Sequence, residues 1–388
     1  MTLLRWKTGA LGALAALGLA GSALAQGAAT QAPAAAPAAA PPPAAAAPAP
    51  AAPAPVAAAP AAAPATTKGV AALEAVKTWA YQLKDVSPEA LKKIAASPFD
   101  MVIIDSSMFP AGKEIRLTRE QVESLKKKPD GSRRLVIAYF SAGECEDFRF
   151  YWKPEWNKKK PDWVDKADKQ WKGDYIVKYW KPEWQKIVYG TPDSLIDRIL
   201  DAGFDGLSID RVDAYYYFGD TKERRNQMVD FVKGMSSYMR SKKPDVVIFS
   251  QNAEELVARK DYLDAIDGIA KEDLIFGISH TEKRNSEGDI KHSEDLLKKA
   301  RAAGKVIFVI EYLAKADNIA TARKRMKELD FVLYVGQRDL YELAGVVPDE
   351  GAKGPLQGRA PFQAAKHTDP MSMPTKIIKK IKNKLMPN

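Results

Sequence analysis

Short apolar runs alternate with amphipathic segments along the chain from about residue 70 to residue 335. Runs of this length that are apolar throughout are typical of parallel strands buried on both faces. They predict eight strands, at Phe99–Ile104, Leu135–Phe140, Tyr175–Val177, Gly206–Ile209, Val246–Phe249, Ile266–Ala270, Val306–Ile310 and Phe331–Val335.

Helix signals lie between the predicted strands. Ser87-Pro88-Glu89 and Thr191-Pro192-Asp193 each combine a capping residue with a proline at the first helical position. Ser293-Glu294-Asp295 predicts the start of another helix. Strands with helices between them favour a closed barrel. An open doubly wound sheet is disfavoured, because no glycine-rich phosphate loop follows the first predicted strand. We therefore predict an α/β fold, a (β/α)8 TIM barrel.

The first 25 residues are typical of a secretory signal peptide. Arg5 and Lys7 precede an apolar run over residues 9–20, and Ala23-Leu24-Ala25 is a small-x-small cleavage site. The apolar run is shorter than the roughly 20 residues that span a bilayer, which disfavours a membrane anchor. We expect an exported protein, either periplasmic or extracellular.

The segments on either side of the predicted barrel carry no catalytic motif. Residues 26–68 are nearly all Ala and Pro, and are predicted to form a disordered linker. The barrel domain is predicted over residues 69–348, followed by a loop and basic tail over residues 349–388. In the tail, the alternating apolar and basic residues of 377–386 predict a weak contact with the envelope or with anionic lipid.

Composition narrows the function classes. The net charge is +10, but export and the absence of a reader motif disfavour nucleic-acid binding. Cys145 is the sole cysteine, so an intramolecular disulfide is excluded, and we expect it to be a buried apolar thiol. The three histidines lack metal-ligand spacing, so neither a metal nor a cofactor is expected. Nothing in the sequence indicates an oligomer, and a monomer is expected.

Polar residues follow the predicted strands, where barrels place their active sites. These residues are Asp105, Glu144, Asp210, Asn252, Glu272 and Glu311. Glycoside hydrolysis requires two carboxyl groups on either side of the scissile bond. Asp210 and Glu272 follow the fourth and sixth predicted strands, so they can face each other across a ligand.

Other interpretations of these acidic residues remain open. Asp105 and Glu311 could instead be buried structural partners of Arg149 or Lys271. Asp213, one turn beyond Asp210, could cap the following segment or face the ligand.

Aromatic residues are frequent in the same segments, and aromatic rings stack on the C–H faces of sugars. They are Tyr139, Phe148, Tyr151, Trp152, Trp156, Tyr179, Trp180, Trp184, Tyr215 and Tyr312. Trp180 and Trp184, at helical spacing, could equally belong to the core.

Four segments together carry a family resemblance: Trp79–Leu83, Ala138–Trp152, Gly206–Asp213 and Glu272–Leu274. Ser250–Asn252 adds a fifth. They resemble glycoside hydrolase family 114, a TIM-barrel family typified by endo-α-1,4-polygalactosaminidase. The resemblance extends from Trp79 to about Leu343, and the long segment around Gly143 is its most specific part.

The resemblance implies a retaining hydrolase that cuts α-1,4-linked galactosamine in an exopolysaccharide. By position, Asp210 corresponds to the nucleophile and Glu272 to the general acid/base. The expected substrate-binding residues are Asp105, Tyr139, Glu144, Arg149, Tyr151, Trp152, Asp213, Asn252, Glu311 and Tyr312.

Two other functions remain open from the residues alone. One is a non-catalytic carbohydrate-binding or envelope-associated module on the same scaffold. The other is a lyase with Lys178 as its candidate base. The positive charge of the whole chain also disfavours encounter with a cationic polymer, although Asp105, Glu144 and Asp213 suit an amine locally.

Overall fold

The structure is a computed structural model that describes residues 67–169 and 171–343, and a sheet of eight strands forms its centre. The predicted signal peptide, almost all of the predicted linker and the predicted basic tail lie outside these residues. Among the described helices, none is long and apolar enough to cross a membrane.

Strands and helices alternate along most of the chain. The strands are β1 (Trp79–Gln82), β2 (Met101–Ile104), β3 (Ser107–Met108), β4 (Ile115–Arg116), β5 (Leu135–Ser141), β6 (Glu144–Glu146), β7 (Val164–Ala167), β8 (Asp174–Val177), β9 (Gly206–Asp210), β10 (Val247–Gln251), β11 (Gly268–Glu272), β12 (Val306–Glu311) and β13 (Val332–Val335). The helices are α1 (Thr67–Glu74), α2 (Pro88–Ala95), α3 (Arg119–Leu125), α4 (Pro182–Val188), α5 (Leu195–Asp201), α6 (Lys222–Lys242), α7 (Lys260–Ala265), α8 (Glu287–Ala302) and α9 (Ala316–Leu329).

The central sheet has the order β1-β2-β5-β9-β10-β11-β12-β13, and all of its neighbouring strands are parallel. Contacts between its first and last strands, and between the segments that directly follow them, nearly close it. Trp79 Nε1 donates a hydrogen bond to the Val332 carbonyl (3.2 Å), and the Leu83 N–H donates to the Leu340 carbonyl (2.9 Å). The predicted TIM barrel is thereby confirmed, and every carboxyl end of its strands lies at one rim.

One predicted strand was wrong, and one barrel strand was not predicted. Tyr175–Val177 belongs to β8, which pairs antiparallel with β6 and β7 in a separate small sheet. The first barrel strand is instead β1, which is buried at all four positions although it includes a polar residue. Gln82 interrupts the apolar run because its side chain is polar, so the sequence pattern concealed the strand. Its buried side chain donates a hydrogen bond to the Asp85 carbonyl. The predicted strands at 99 and 135 are therefore the second and third of the barrel.

The helix starts were predicted with mixed success. Ser87 caps α2 as expected, accepting a hydrogen bond from the Ala90 N–H (3.3 Å). The predicted start at Thr191 was wrong, because α5 begins three residues later with Ser194 as its cap. The predicted start at Ser293 was wrong, because α8 begins two turns earlier with Ser286 as its cap. Ser293 instead donates to Glu254 Oε1 (2.8 Å), a tertiary contact that its capping signature cannot reveal.

The core lies between the barrel strands and the helices around them. Trp184 is fully buried there and therefore belongs to the core. Trp180 is only partly buried and packs against the core. Cys145 is fully buried among apolar side chains, which confirms the expected apolar thiol.

Candidate active site

A cavity of about 580 Å³ opens at the carboxyl ends of the barrel strands. The strands and the residues directly after them contribute Tyr81, Asp105, Tyr139, Asp210, Gln251, Asn252, Glu272 and Tyr312 to its lining, and Arg338 comes from the segment after β13. This is the rim at which TIM-barrel enzymes place their catalytic groups.

Asp210, the last residue of β9, has two hydrogen-bond donors. The Tyr139 hydroxyl donates to Oδ2 (2.9 Å), and the Arg211 N–H donates to Oδ1 (2.7 Å). Burial, and then the charge of Glu272, raise the pKa of Asp210 to about 7. A carboxyl group with this pKa changes its protonation state at neutral pH, as catalytic carboxyl groups often do.

Glu272, the last residue of β11, is held by the strands on either side. Asn252 Nδ2 donates to its Oε2 (2.6 Å), and the Glu272 N–H donates to Asn252 Oδ1 (3.0 Å). The Tyr312 hydroxyl donates to Oε1. These contacts fix the orientation of the carboxylate. Asp210 and Glu272 are separated by one strand, β10, and they interact electrostatically across the rim.

The backbone turns sharply directly after three of the rim strands. Arg211, Asn252 and Asp273 follow β9, β10 and β11, and all three have positive φ angles of 56°, 58° and 54°. Such angles are costly for residues other than glycine, and they cluster at functional sites where surrounding contacts maintain them.

Asp213 faces the cavity rather than capping a helix. It precedes the short 3₁₀ helix Ala214–Phe218, but its side chain makes no capping hydrogen bond. Within the described parts of the chain, its carboxylate has no hydrogen bond or ion pair. Burial raises its pKa, while Arg211 and Lys271 oppose that rise.

Asp105 is occupied by a structural partner. Arg149 Nη1 and Nη2 donate to its two carboxylate oxygens at 2.8 and 2.7 Å, and both side chains are buried. Asp105 thus forms the buried ion pair with Arg149, and it also lines the cavity. Glu144 is similarly paired, with Arg211 Nη2 at 2.5 Å, and burial raises the pKa of Glu144 to about 8.

Glu311, the last residue of β12, supports the loop that follows β11. It is fully buried and accepts hydrogen bonds from the N–H groups of Ile275 (2.7 Å) and Phe276 (3.2 Å). Burial raises its pKa to about 8. It thus anchors the segment after β11, and its partners are these N–H groups and not Lys271, which pairs with Glu254 at 3.4 Å.

The structure does not bring four predicted substrate-binding residues to the cavity surface: Arg149, Tyr151, Trp152 and Glu311. The Tyr151 hydroxyl accepts from the Glu146 N–H (3.0 Å), and the ring packs against Trp184 with centroids 5.7 Å apart. Trp152 stacks on Tyr175 beside the small antiparallel sheet, with centroids 5.1 Å apart. The other six substrate-binding candidates line the cavity.

Sequence reasoning missed several lining residues, among them Tyr81, Gln251 and Arg338. Tyr81 lies in the barrel strand that was not predicted, so its position at the rim was not apparent. Gln251 lies directly before Asn252, and the position alone could have signalled it. Arg338 lies beyond the last strand, where the sequence carries no such signal.

The charge of the cavity is opposite to that of the chain. Asp and Glu outnumber Lys and Arg by twelve to five in its lining, whereas the whole sequence has a net charge of +10. The lining therefore has a net negative charge, and the cavity suits a cationic ligand.

Comparison with known proteins gives a consistent family and fold. Residues 56–353 match the sequence model of glycoside-hydrolase family GH114. An uncharacterized protein of Methanocaldococcus jannaschii is 34% identical over 277 residues, covering 67% of this chain and 75% of that protein. One of Deinococcus radiodurans is 30% identical over 280 residues, covering 70% and 84%. The glycoside hydrolase domain of PelA from Pseudomonas aeruginosa shares the fold, at 18% identity and a TM-score of 0.51, covering 69% of this chain and 96% of that domain.

Proposed function

Because this chain belongs to glycoside-hydrolase family GH114, we propose that it cleaves a polysaccharide containing α-1,4-linked galactosamine, using Asp210 and Glu272. The observation that supports this most directly is the pair itself. Two carboxyl groups with separate hydrogen-bond partners face one acidic cavity at the rim of the barrel.

In the proposed reaction, Asp210 is the nucleophile. Its carboxylate oxygen attacks the anomeric carbon while protonated Glu272 transfers its proton to the departing glycosidic oxygen. Glu272, now ionised, then removes a proton from water, whose oxygen attacks the anomeric carbon and releases Asp210. Two displacements at one carbon retain its configuration, so we expect a retaining enzyme.

The electrostatic coupling of Asp210 and Glu272 disfavours two negative charges on the pair at once. The first step requires one ionised and one protonated carboxyl group. The negative charge of Glu272 raises the pKa of Asp210, so the pair resists carrying two charges at once. The proposed first step uses the state in which Asp210 is ionised and Glu272 carries the proton.

We assign recognition of the substrate amine to Asp213. Among the carboxylates of the cavity, Asp105 is bonded to Arg149 and Glu144 to Arg211, whereas Asp213 has no such partner among the described residues. A half-buried carboxylate without a hydrogen-bond donor is unfavourable, and an ammonium group on the substrate would relieve that cost. The acidic cavity also offsets the repulsion expected from the net positive charge of the chain.

We further propose that the enzyme acts outside the cytoplasm on an extended polymer. The signal-peptide pattern of residues 1–25 supports export, and the open rim of the barrel is compatible with a chain passing over it. The basic tail remains a candidate for weak attachment to the envelope.

The decisive experiment incubates the purified full chain with partially deacetylated α-1,4-linked galactosamine–galactose polymer and identifies the products by mass spectrometry. Oligosaccharides should form with the native protein and be absent with Asp210→Asn. Asp245→Asn is a matched control, because Asp245 is exposed, lies outside the cavity and, within the described part of the chain, pairs with Lys68. Binding of the polymer without cleavage would favour a non-catalytic module. Retention of the anomeric configuration is tested separately: NMR identifies which anomer of the product forms first.

A further inference from the structure

Arg338 lies against Tyr312, the residue whose hydroxyl holds Glu272. Its guanidinium lies over the Tyr312 ring, 4.4 Å from the centroid. The hydroxyl of that ring donates to Glu272 Oε1. Arg338 Nη2 also donates to both carboxylate oxygens of Asp273, at 2.8 and 3.0 Å. Arg338 is thus in contact with the ring that orients Glu272 and with the residue that follows Glu272.

The surrounding backbone is shaped to hold this arginine. Asp273 lies in the left-handed region, which turns its carboxylate towards Arg338. Gly277 passes so close that a Cβ atom there would overlap Asp273 Oδ1 and approach Arg338 Nη2 to 3.1 Å. Glu311 anchors the intervening N–H groups of Ile275 and Phe276. A substituted Gly277 would therefore displace the carboxylate that grips Arg338.

We propose that Arg338 is a positioning residue for the general acid/base: its stacked guanidinium keeps the Tyr312 hydroxyl on Glu272. The proposal rests on the assignment of Glu272 as the acid/base. Cation–π stacking and a charge-assisted hydrogen bond act together on Arg338, so its side chain has little freedom to leave the ring. Tyr312 in turn cannot rotate away from Glu272 without losing the cation above it.

Other charged and titratable groups also face Glu272. Asp210 lies on β9 and Asp213 after it, Tyr81 is on β1, and Asp273 follows Glu272 itself. Lys271, the other nearby cation, is engaged by Glu254 at 3.4 Å. Burial opposes the charge on Arg338, but Asp273, Tyr312 and Glu272 together hold its pKa above its ordinary value. Arg338 is therefore a cation at neutral pH.

The test compares Arg338→Met, Tyr312→Phe and the double variant of the full chain. Removing a hydrogen-bond donor from Glu272 disfavours its ionised form. Both single variants should therefore move the basic limb of the kcat/KM profile to higher pH and lower its maximum about tenfold. If Arg338 acts through Tyr312, the double variant should be no worse than Tyr312→Phe alone. The proposal would be overturned if the losses of kcat/KM in the two single variants multiplied in the double variant. It would also be overturned if kcat/KM fell while the basic limb stayed at the same pH.

Arg198→Met is the matched control. The Arg198 guanidinium also stacks on an aromatic ring, 3.6 Å from the centroid of Phe150, and pairs with Asp193. Its side chain is 26% exposed, close to the 24% of Arg338. Unlike Arg338, it lies outside the cavity. It should leave kcat/KM and its pH profile unchanged. If Arg338→Met fails to fold, judged by its melting temperature, Arg338→Lys is assessed by the same criteria.

A crystal structure of the Arg338 variant gives a readout that does not depend on activity. The Tyr312 hydroxyl should move beyond hydrogen-bonding distance of Glu272. An unmoved hydroxyl would refute the role of Arg338. An inactive native enzyme would refute the proposed function, and the position of the hydroxyl would still decide the role of Arg338.

Discussion

Tyr139 and Asp210, on neighbouring strands β5 and β9, are joined by a hydrogen bond of 2.9 Å from the phenol hydroxyl to Oδ2. The donor stabilises the ionised form of a carboxyl group whose pKa is already raised to about 7, chiefly by burial. The contact therefore bears directly on how much Asp210 is ionised, and so able to attack, at neutral pH.

Replacing Tyr139 with Phe should raise the pKa of Asp210 further, because the ionised form loses a donor. The nucleophile must be ionised, so the acidic limb of the kcat/KM profile should lie near pH 7 in the native enzyme and move higher in the variant. At pH 7 we expect roughly a tenfold loss. Tyr175→Phe, which removes a hydroxyl beside Asp147 outside the cavity, should leave the profile in place. An acidic limb that stays in place in Tyr139→Phe would contradict this role.

Asp210→Asn should abolish turnover, by roughly 10⁴-fold or more, because an amide cannot act as the nucleophile. It should also stabilise the fold at alkaline pH. The folded-state pKa of about 7 exceeds the ordinary value of 3.8, so Asp210 stabilises the fold at low pH and loses that contribution as the pH rises through 7. The variant should melt above the native protein at pH 8, by about 2–4 °C for each kcal/mol regained, and not at pH 3. Equal melting temperatures at pH 8 would be the contrary result.

Glu272→Gln should harm substrates with poor leaving groups most, because protonation of the departing oxygen matters least when that oxygen already leaves easily. A series of aryl glycosides with leaving groups of different acidity measures the effect. We expect the rate to fall by roughly 10²–10⁴-fold for the poorest leaving groups, and much less for the best ones. Equal losses across the series would assign the acid role elsewhere.

Asp213→Asn should reduce discrimination between free and acetylated amino sugars. The ammonium form should lose about tenfold in kcat/KM, the scale of one charge-assisted hydrogen bond, while the neutral N-acetyl form is nearly unaffected. Oligosaccharides that differ only in acetylation serve as each other's control. A loss of the same size on both would indicate a structural role for Asp213.

Glu311→Ala should destabilise the protein more than it alters chemistry. Two buried N–H groups, of Ile275 and Phe276, would lose their acceptor and a cavity would remain, at a cost of about 2–5 kcal/mol. Glu311→Gln keeps one acceptor oxygen, so its free energy of unfolding should lie between those of the native protein and the alanine variant. Urea unfolding measures the order, and an alanine variant as stable as the native protein would show that the loop has other support.

Sequence reasoning succeeded where a pattern repeats locally. Apolar runs that end in a polar residue located β9 and β11, and with them Asp210 and Glu272. It failed where a polar side chain interrupts a run, as Gln82 does in β1, and where an apolar run forms a strand outside the barrel, as β8 does. An apolar run of three residues is compatible with either sheet, because the partner strand decides which.

The sequence by itself determined the barrel and the pair of rim carboxylates, because parallel strands of a closed sheet bring all their carboxyl ends to one side. Only the tertiary structure decided which acidic residues remain available for a ligand. Asp105 and Asp213 are both acidic residues near strand ends, yet Arg149, 44 residues away in sequence, bonds the first and leaves the second open to the cavity. Ion pairs between distant segments depend on packing that no local pattern records, and they determine the chemistry of the site.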